Sequence, residues 1–593
     1  MVRGRRFLAL WLCLAAVFLV PARARALDNS ALEERSVQRA LGDHPDREAA
    51  PEGKRIERVD IVRLPVFDED DPVPDFVNVF HGQTREPVIR RELLFRAGDR
   101  YRSEIILETV RNLQALPQFG VVVVVALKGS SPDQVRLVVI VRDVWSLRLA
   151  YDLRGTFKSI NYLLINPSEW NLFGTRTLLG GVYTLAPDRY SLGGMVIHPR
   201  VAGTKMDALV QGQVYVNRAS DKAEGSTGQV ALYRDLISLA DKWAFVTGAF
   251  WANEQTRKYN DQNPKRTAAG VPIAYHTDVI RAGAQVTRSF GLVYKFNLTV
   301  GVEYSQRKFE RAAETTAEDF ASFVHEEVPL SDTRLSPFVQ LEHKAARYLA
   351  TQDVETLELR ESFSLEQFAA LRLYPALHAA GSTRDLLGSV AWVGYTWPVD
   401  TGLLRVVANS SIEVADESRH QASAQGAVRF VSPKIGGFGR LVVDSALGSA
   451  YYNYLNRKLL LGGDTRPRGY VSSYFNGGSA FAGSLELRTG AINILSARVG
   501  AVAFYDLGGT GEQVEDIALH QSLGAGVRIL LPQLNREVFR VDWAAPLTPG
   551  RGRFPDQPLP GSVYFSFGQA FEMPGLRLPG LFGAETSLLQ PSR

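Results

Sequence analysis

The stretch LGGDTRPRGYVSSYFNGGSAF, residues 461–481, gathers glycine, arginine and aromatic residues in a segment without helical periodicity, between two segments that read as strands. Within it, RPRGY sets the permanent cation of Arg468 directly before Gly469 and Tyr470. A guanidinium enclosed by protein is costly unless it is paired, so the chemistry on offer here is the carrying and pairing of charge. Downstream, the period of two in FYDLG puts Phe504, Asp506 and Gly508 on one strand face. In GSLELR the same parity places Glu486 with Ser484 and Arg488, opposite Leu485 and Leu487. Bond-making chemistry has no comparable residues. HExxH, paired CxxC, GxSxG and P-loop motifs are absent, and the nine histidines are scattered. No enzymatic activity, cofactor or metal is therefore expected, and the acidic run Asp68–Asp71 within DEDDPVPDF (68–76) reads as a solvated loop.

Elements able to hold such a loop follow from the rest of the chain. Residues 1–26 have arginines, an apolar run from Phe7 to Val20 and small-residue cleavage sites around Ala22, Ala24 and Ala26, which predicts a secretory signal peptide. Cys13, the single cysteine, lies inside it, so disulfide and thiolate chemistry is not expected of the exported chain. Taking Arg3, Arg5, Arg6, Arg23 and Arg25 from the formal charge of +4 leaves about −1, which gives no reason to expect a nucleic-acid partner. Residues 27–54 are charged and read as a mobile linker. Residues 55–144 read as a small α+β unit: strand 55–64, a short helix within 86–101 that ends at Gly98 and Asp99, helix 103–116 with Ile106, Val110 and Leu113 on one face, then strands 119–129 and 134–143.

From residue 145 to 571 the pattern is alternation. In KFNLTVGVEYS, Phe296, Leu298, Val300 and Val302 alternate with Asn297, Thr299, Gly301 and Glu303. DALVQGQVYVN (207–217) and VYFSFGQAF (563–571) repeat the scheme. Soluble sandwiches alternate as well, but many such strands with aromatic ends and uneven loops predict a mainly β protein and favour a transmembrane antiparallel barrel with apolar residues toward lipid over a soluble all-β protein. Segmentation gives about nineteen candidates, an odd count whose surplus is expected among residues 220–450 as loop hairpins or wrongly split strands. Residues 572–593 remain as a C-terminal tail.

Four segments, in order, resemble the BamA/TamA outer-membrane assembly superfamily. The unit with EPVIRRELLFRAGDRY and LPQFGVV is similar to a POTRA domain, and NPSEWNLFGT (166–175) resembles an early Glu-x-Asn-Leu-x-Gly barrel turn. RPRGY resembles the Arg-Gly-aromatic tip of a loop folded back into the barrel, and FYDLG the strand motif that receives it. Five strand-like segments follow the loop (479–489, 497–506, 519–530, 537–545 and 561–571), the number the family places there, and the resemblance implies about sixteen strands in all. It also implies that Arg468 is anchored by Glu486 and Asp506, beside Phe504 and Gly508. The lateral seam implied between first and last strands would be lined by Leu147, Leu149, Tyr151, Phe565, Phe567 and Phe571. It further implies an outer-membrane location with the POTRA domain in the periplasm, and insertion of unfolded β-barrel clients, with periplasmic accessory proteins or chaperones as partners alongside lipid. A two-partner type secretion transporter for one polypeptide, or a passive porin-like channel, would carry much the same residues.

Overall fold

The computed structural model describes residues 30–43, 45–67, 82–156, 159–260, 263–416, 419–463, 466–470, 473–547, 561–571 and 573–575. The signal peptide, the acidic insertion at 68–76 and the tail beyond 575 lie outside them.

The N-terminal unit has a three-stranded sheet, β1 (Arg55–Leu64), β2 (Phe119–Lys128) and β3 (Gln134–Asp143), in the order β1-β3-β2. β1 runs parallel to β3 and β2 antiparallel to it. Two helices come from the segments expected to form them, α2 (Glu86–Arg90) and α3 (Ser103–Gln114). The first is shorter than expected, because Arg91–Arg100 leaves the helical path in turns that end at Gly98, with φ +93°. Ile106 and Leu113 of α3, with Val110 beside them, pack on Val122, Leu137, Val139 and Val141 of one sheet face.

The opposite face is also apolar, and the segment read as a linker supplies its cover. α1 (Ala31–Leu41) begins with a reciprocal capping box between Ser30 and Glu33. Val37, with Leu32, Ala40 and Leu41, packs on Val121, Val123, Val125, Val138 and Ile140. Residues 27–54 are thus not a plain linker: their charges conceal an apolar stripe. The unbroken valines of FGVVVVV carried the missed signal, since a strand apolar on both sides is covered on both sides.

Among the described residues the barrel ring contains 21 strand segments. Ile492–Ile494 merely prolongs Ser479–Thr489 along the same partner, Ala497–Gly511, so the wall has twenty strands, fifteen before the arginine-bearing loop and five after. The expectation of about sixteen is corrected upstream of the loop. Between 220 and 450 the long segments are wall strands, among them Ala274–Phe290 and Tyr294–Arg311, paired along their length from Tyr275↔Arg311 to Phe290↔Phe296, while Tyr259–Asn260 with Asn263–Pro264 and Tyr348–Thr351 with Glu361–Ser364 form short hairpins outside the wall. Alternation decides their placement: Phe296 is 55% exposed on the outer side, whereas Asn297 is 6% exposed within. The five final strands, Ser479–Thr489, Ala497–Gly511, His520–Leu530, Phe539–Pro546 and Ser562–Phe567, fall where expected, but the second runs on to Gly511, past the expected end at residue 506, and the last stops at Phe567.

Candidate functional site

The loop after Gly439–Asn453 first makes a two-stranded ribbon, Leu459–Leu461 with Phe475–Gly477, and its tip then enters the barrel. Gly463 N donates to Tyr470 O at 3.0 Å and closes the tip. Gly469, at φ +94°, lies so close to the wall that a Cβ would meet Ala544 O at 3.1 Å, so both conformation and space require glycine. Tyr470 is fully buried; its hydroxyl donates to Gln521 O at 2.9 Å and its ring packs edge-on against Phe475.

Arg468 is 0% exposed and every guanidinium nitrogen is used. Nε and Nη2 donate to the two oxygens of Asp506 at 2.8 and 2.9 Å, a bidentate pair. Nη2 also reaches Glu486 Oε1 at 2.8 Å and Nη1 reaches Asp542 Oδ2 at 3.2 Å. The Arg468 backbone N–H donates to Asp506 Oδ2 at 3.0 Å, fixing the loop as well as its charge. The guanidinium lies 3.4 Å from the ring centroid of Phe504, which in turn fills the space left by Gly524, where a Cβ would be 2.2 Å from the ring. Gly508 makes room for Pro467, whose Cδ would be 2.9 Å from a Cβ there. Arg468, Glu486, Phe504, Asp506 and Gly508 are therefore brought together as the resemblance implied.

Sequence reasoning missed Asp542 and the cations around it. Arg528 Nη1 and Arg540 Nη1 donate to Asp542 at 2.5 and 3.1 Å, while Arg488 Nε donates to Glu486 at 2.9 Å. Lumen-side parity of charged residues in the strands after the loop, Arg540 and Asp542 above all, was the available signal. Arg466 and Arg429 both pair with Asp444, and Arg429 Nη1 also reaches Glu355 Oε1 at 2.9 Å on the lumenal hairpin Tyr348–Ser364.

The seam is short. The first barrel strand, Leu147–Thr156, pairs with Ser562–Phe567 only at Val563↔Gly155, Tyr564↔Arg154 and Phe565↔Leu153. On its other side the same strand pairs along its whole length with Ser159–Leu172. Leu147 and Leu149, 58% and 56% exposed, thus lie on a stretch without a ladder partner toward the seam, and the Tyr151 ring meets those of Phe567 and Phe539 at 5.9 and 5.7 Å. Phe571 is not a seam residue. The chain turns inward at Gly568, and Phe571 is buried in the lumen with Arg466 4.4 Å and Arg468 4.9 Å from its ring centroid. Tyr564 joins seam to loop, its hydroxyl accepting from Gly469 N at 2.9 Å and donating to Tyr470 O at 3.3 Å.

At the end near the N-terminal unit, the turn after NPSEWNL docks on residues 82–85. Asn171 Nδ2 donates to Thr84 Oγ1 at 2.9 Å, and Gly174, at φ +70°, leaves no space for a Cβ, which would meet Gln83 O at 2.4 Å. Glu92 completes the attachment, accepting from Arg200 Nη2 at 2.5 Å and Arg176 Nη1 at 2.6 Å. Burial pushes its carboxyl up, but the hydrogen bond from Arg200 and the charges of Arg176, Arg200 and Arg91 outweigh that and hold it below the usual carboxylate range. Docking energy from Glu92 is thus present above that usual value and is lost only as pH falls through the depressed one. Glu92→Gln is expected to loosen the docking by about 3 kcal/mol, since two guanidinium groups then face a neutral amide. Faster amide hydrogen exchange in residues 82–92 would register this, with no further change on acidification; exchange identical to wild type would remove Glu92 from the attachment.

Among the described residues, His378, Asp385 and Asp416 bring one ligand atom each within 4.8 Å at the far rim. His378 is bonded to Asp385 and Asp416 to Arg419, so these groups satisfy one another.

No protein-family model matches the chain, and no curated protein does. Among solved structures, CdiB from Acinetobacter baumannii aligns at TM-score 0.37 and 10% identity over 96% of this chain and 97% of that one. BamA from Haemophilus ducreyi lacking POTRA domains 1–3 aligns at 0.33 and 11% over 92% and 94%, and CdiB from Escherichia coli at 0.38 and 11% over 87% and 76%. These likenesses carry no argument about activity, which rests on the site itself.

Proposed function

We propose that this chain is a member of the BamA/TamA outer-membrane assembly superfamily, with one POTRA domain in the periplasm, and that it inserts polypeptides into the outer membrane through the seam of its barrel. The observation that carries the reading is the three-pair seam, which leaves the edge of Leu147–Tyr151 without ladder partners. A free strand edge templates another strand, and its backbone groups satisfy those of an incoming chain. Tyr564 gives the loop tip a hold on the last strand, so the Arg468 cluster sets how firmly the inner side of the seam is kept. The N-terminal unit offers a second edge at Val121–Val125, narrowed at one end by the pairing of Arg47 with Leu127.

Reconstitution into liposomes separates this reading from a dedicated secretion transporter and from a passive channel. The insertase is expected to accelerate folding of unrelated β-barrel proteins added from outside. Movement of a single client into the vesicle lumen, without such acceleration, would favour the transporter; ion conductance alone would favour the channel.

A further inference from the structure

The alternation of VYFSFGQAF predicts a strand through Phe571, yet the wall ends at Phe567. Gly568, at φ +83°, donates its N–H to Val538 O at 2.8 Å and turns the chain into the lumen. The segment then follows a row of side-chain donors. Arg429 Nη2 donates to Phe571 O at 2.8 Å, Arg405 Nη1 to Pro574 O at 3.1 Å, and Trp392 Nε1 to Gly575 O at 3.2 Å. Each of these reaches a main-chain carbonyl, a group that every residue type carries. The side chains meet surfaces of low selectivity: Phe571 lies against two guanidinium groups, and Met573 against the apolar cluster of Leu349, Leu403, Val431 and Val442.

The donors do not depend on the tail for their position. Arg429 Nε is fixed by Asp444 at 2.6 Å and Arg405 Nε by Thr396 Oγ1 at 2.9 Å, and Trp392 is buried among Phe368, Ala370 and Val407. A row of buried, already oriented donors binds extended backbone at little further ordering cost.

We infer that Trp392, Arg405 and Arg429 form a lumenal binding groove for extended polypeptide, and that residues 569–571 and 573–575 occupy it in cis as an internal competitor. The inference rests on the polypeptide-handling function proposed above and assigns that function a second contact site. Tethering gives the tail a high effective concentration, so a client gains the groove only when the tail leaves. The same exchange bears on the seam. With the tail docked, the last strand ends at Phe567 and the edge of the first strand stays free; with the tail released, residues 568–571 are available to extend the last strand along that edge.

Ala570→Cys tests this in the full chain, where Cys13 of the expected signal peptide is the only native cysteine. Reconstituted protein is treated with a soluble maleimide, and the labelling rate is compared with that of the urea-unfolded chain. Labelling should be at least about tenfold slower in the folded barrel, as for a segment that must open locally to react. A synthetic peptide of residues 568–579 at millimolar concentration should accelerate it severalfold, and a scrambled peptide of the same composition should keep most of that effect. Trp392→Phe, which removes one N–H and keeps an aromatic ring, should raise the basal labelling rate. Labelling as fast as in the unfolded chain overturns the docking; slow labelling indifferent to both peptides and to Trp392→Phe overturns the groove. Displacement by peptide in a protein that neither inserts nor moves clients would leave the groove standing and remove the functional reading, and the converse pair of results would do the opposite.

Discussion

Arg468→Ala is expected to leave an exported barrel that assembles but works poorly, with its lumenal loop undocked. The three carboxylates around Arg468 are not affected equally. Glu486 keeps Arg488, and Asp542 keeps Arg528 and Arg540. Asp506 loses its bidentate partner and retains the hydroxyl of Ser484, whose Oγ donates to Oδ1 at 2.7 Å. A carboxylate buried to 0% exposure and stripped of its cation should cost about 3 to 5 kcal/mol, enough to shift the loop largely to an undocked state. Arg468→Lys should recover little, because an ammonium cannot make the two-pronged contact or lie flat on Phe504. Protease cleavage of the loop in intact cells, measured beside activity, gives the readout. Wild-type behaviour in both would end the anchoring role. Adding Asp506→Asn to Arg468→Ala should restore part of the docking, since the unpaired charge is then gone.

Locking the seam should have the larger effect on activity. The pairing of Phe565 with Leu153 defines where to place cysteines; joining Leu149 to Phe567, which alternation alone leaves open, would be out of this register. In Leu153→Cys/Phe565→Cys, paired backbone positions come within the roughly 7 Å that a disulfide requires without backbone movement. Oxidation is expected to abolish insertion nearly completely and reduction to restore it, because the disulfide holds the three existing pairs together and stops the seam from opening beyond its free stretch to admit a client strand. Failure to crosslink would mean that the seam is not formed between these residues in the membrane. A fully crosslinked barrel with normal activity would exclude lateral opening and direct attention to the lumen.

Much of this molecule was written locally. The period of two in KFNLTVGVEYS, GSLELR and FYDLG assigned Phe296, Leu485 and Leu487 to the outside and Glu486 and Asp506 to the inside, as the exposures bear out. The glycines of the loop and of Gly174 were also foreseeable as places of close approach, because their neighbours in sequence are turn residues. The helix before β1 was concealed, since a short amphipathic segment with many charges resembles a linker until the second apolar sheet face that it covers is in view.

Side-chain alternation depends only on the backbone of one strand, so the sequence by itself determined which residues share a strand face and that five strand segments follow the arginine-bearing loop, and it favoured a barrel over a soluble sandwich, which alternates in the same way. Closure depends on residues far apart in the chain, and only the tertiary structure decided what closure controls. It decided that the wall has twenty strands, since each hairpin between 220 and 450 is wall or loop according to its neighbours. It brought Asp542, Arg528 and Arg540 to Arg468 across the lumen, and it set the seam register between residues 153–155 and 563–565. It also turned Phe571 inward, where the buried guanidinium groups of Arg429, Arg466 and Arg468 compete with strand pairing for the end of the chain, a contest between distant partners that no local pattern records.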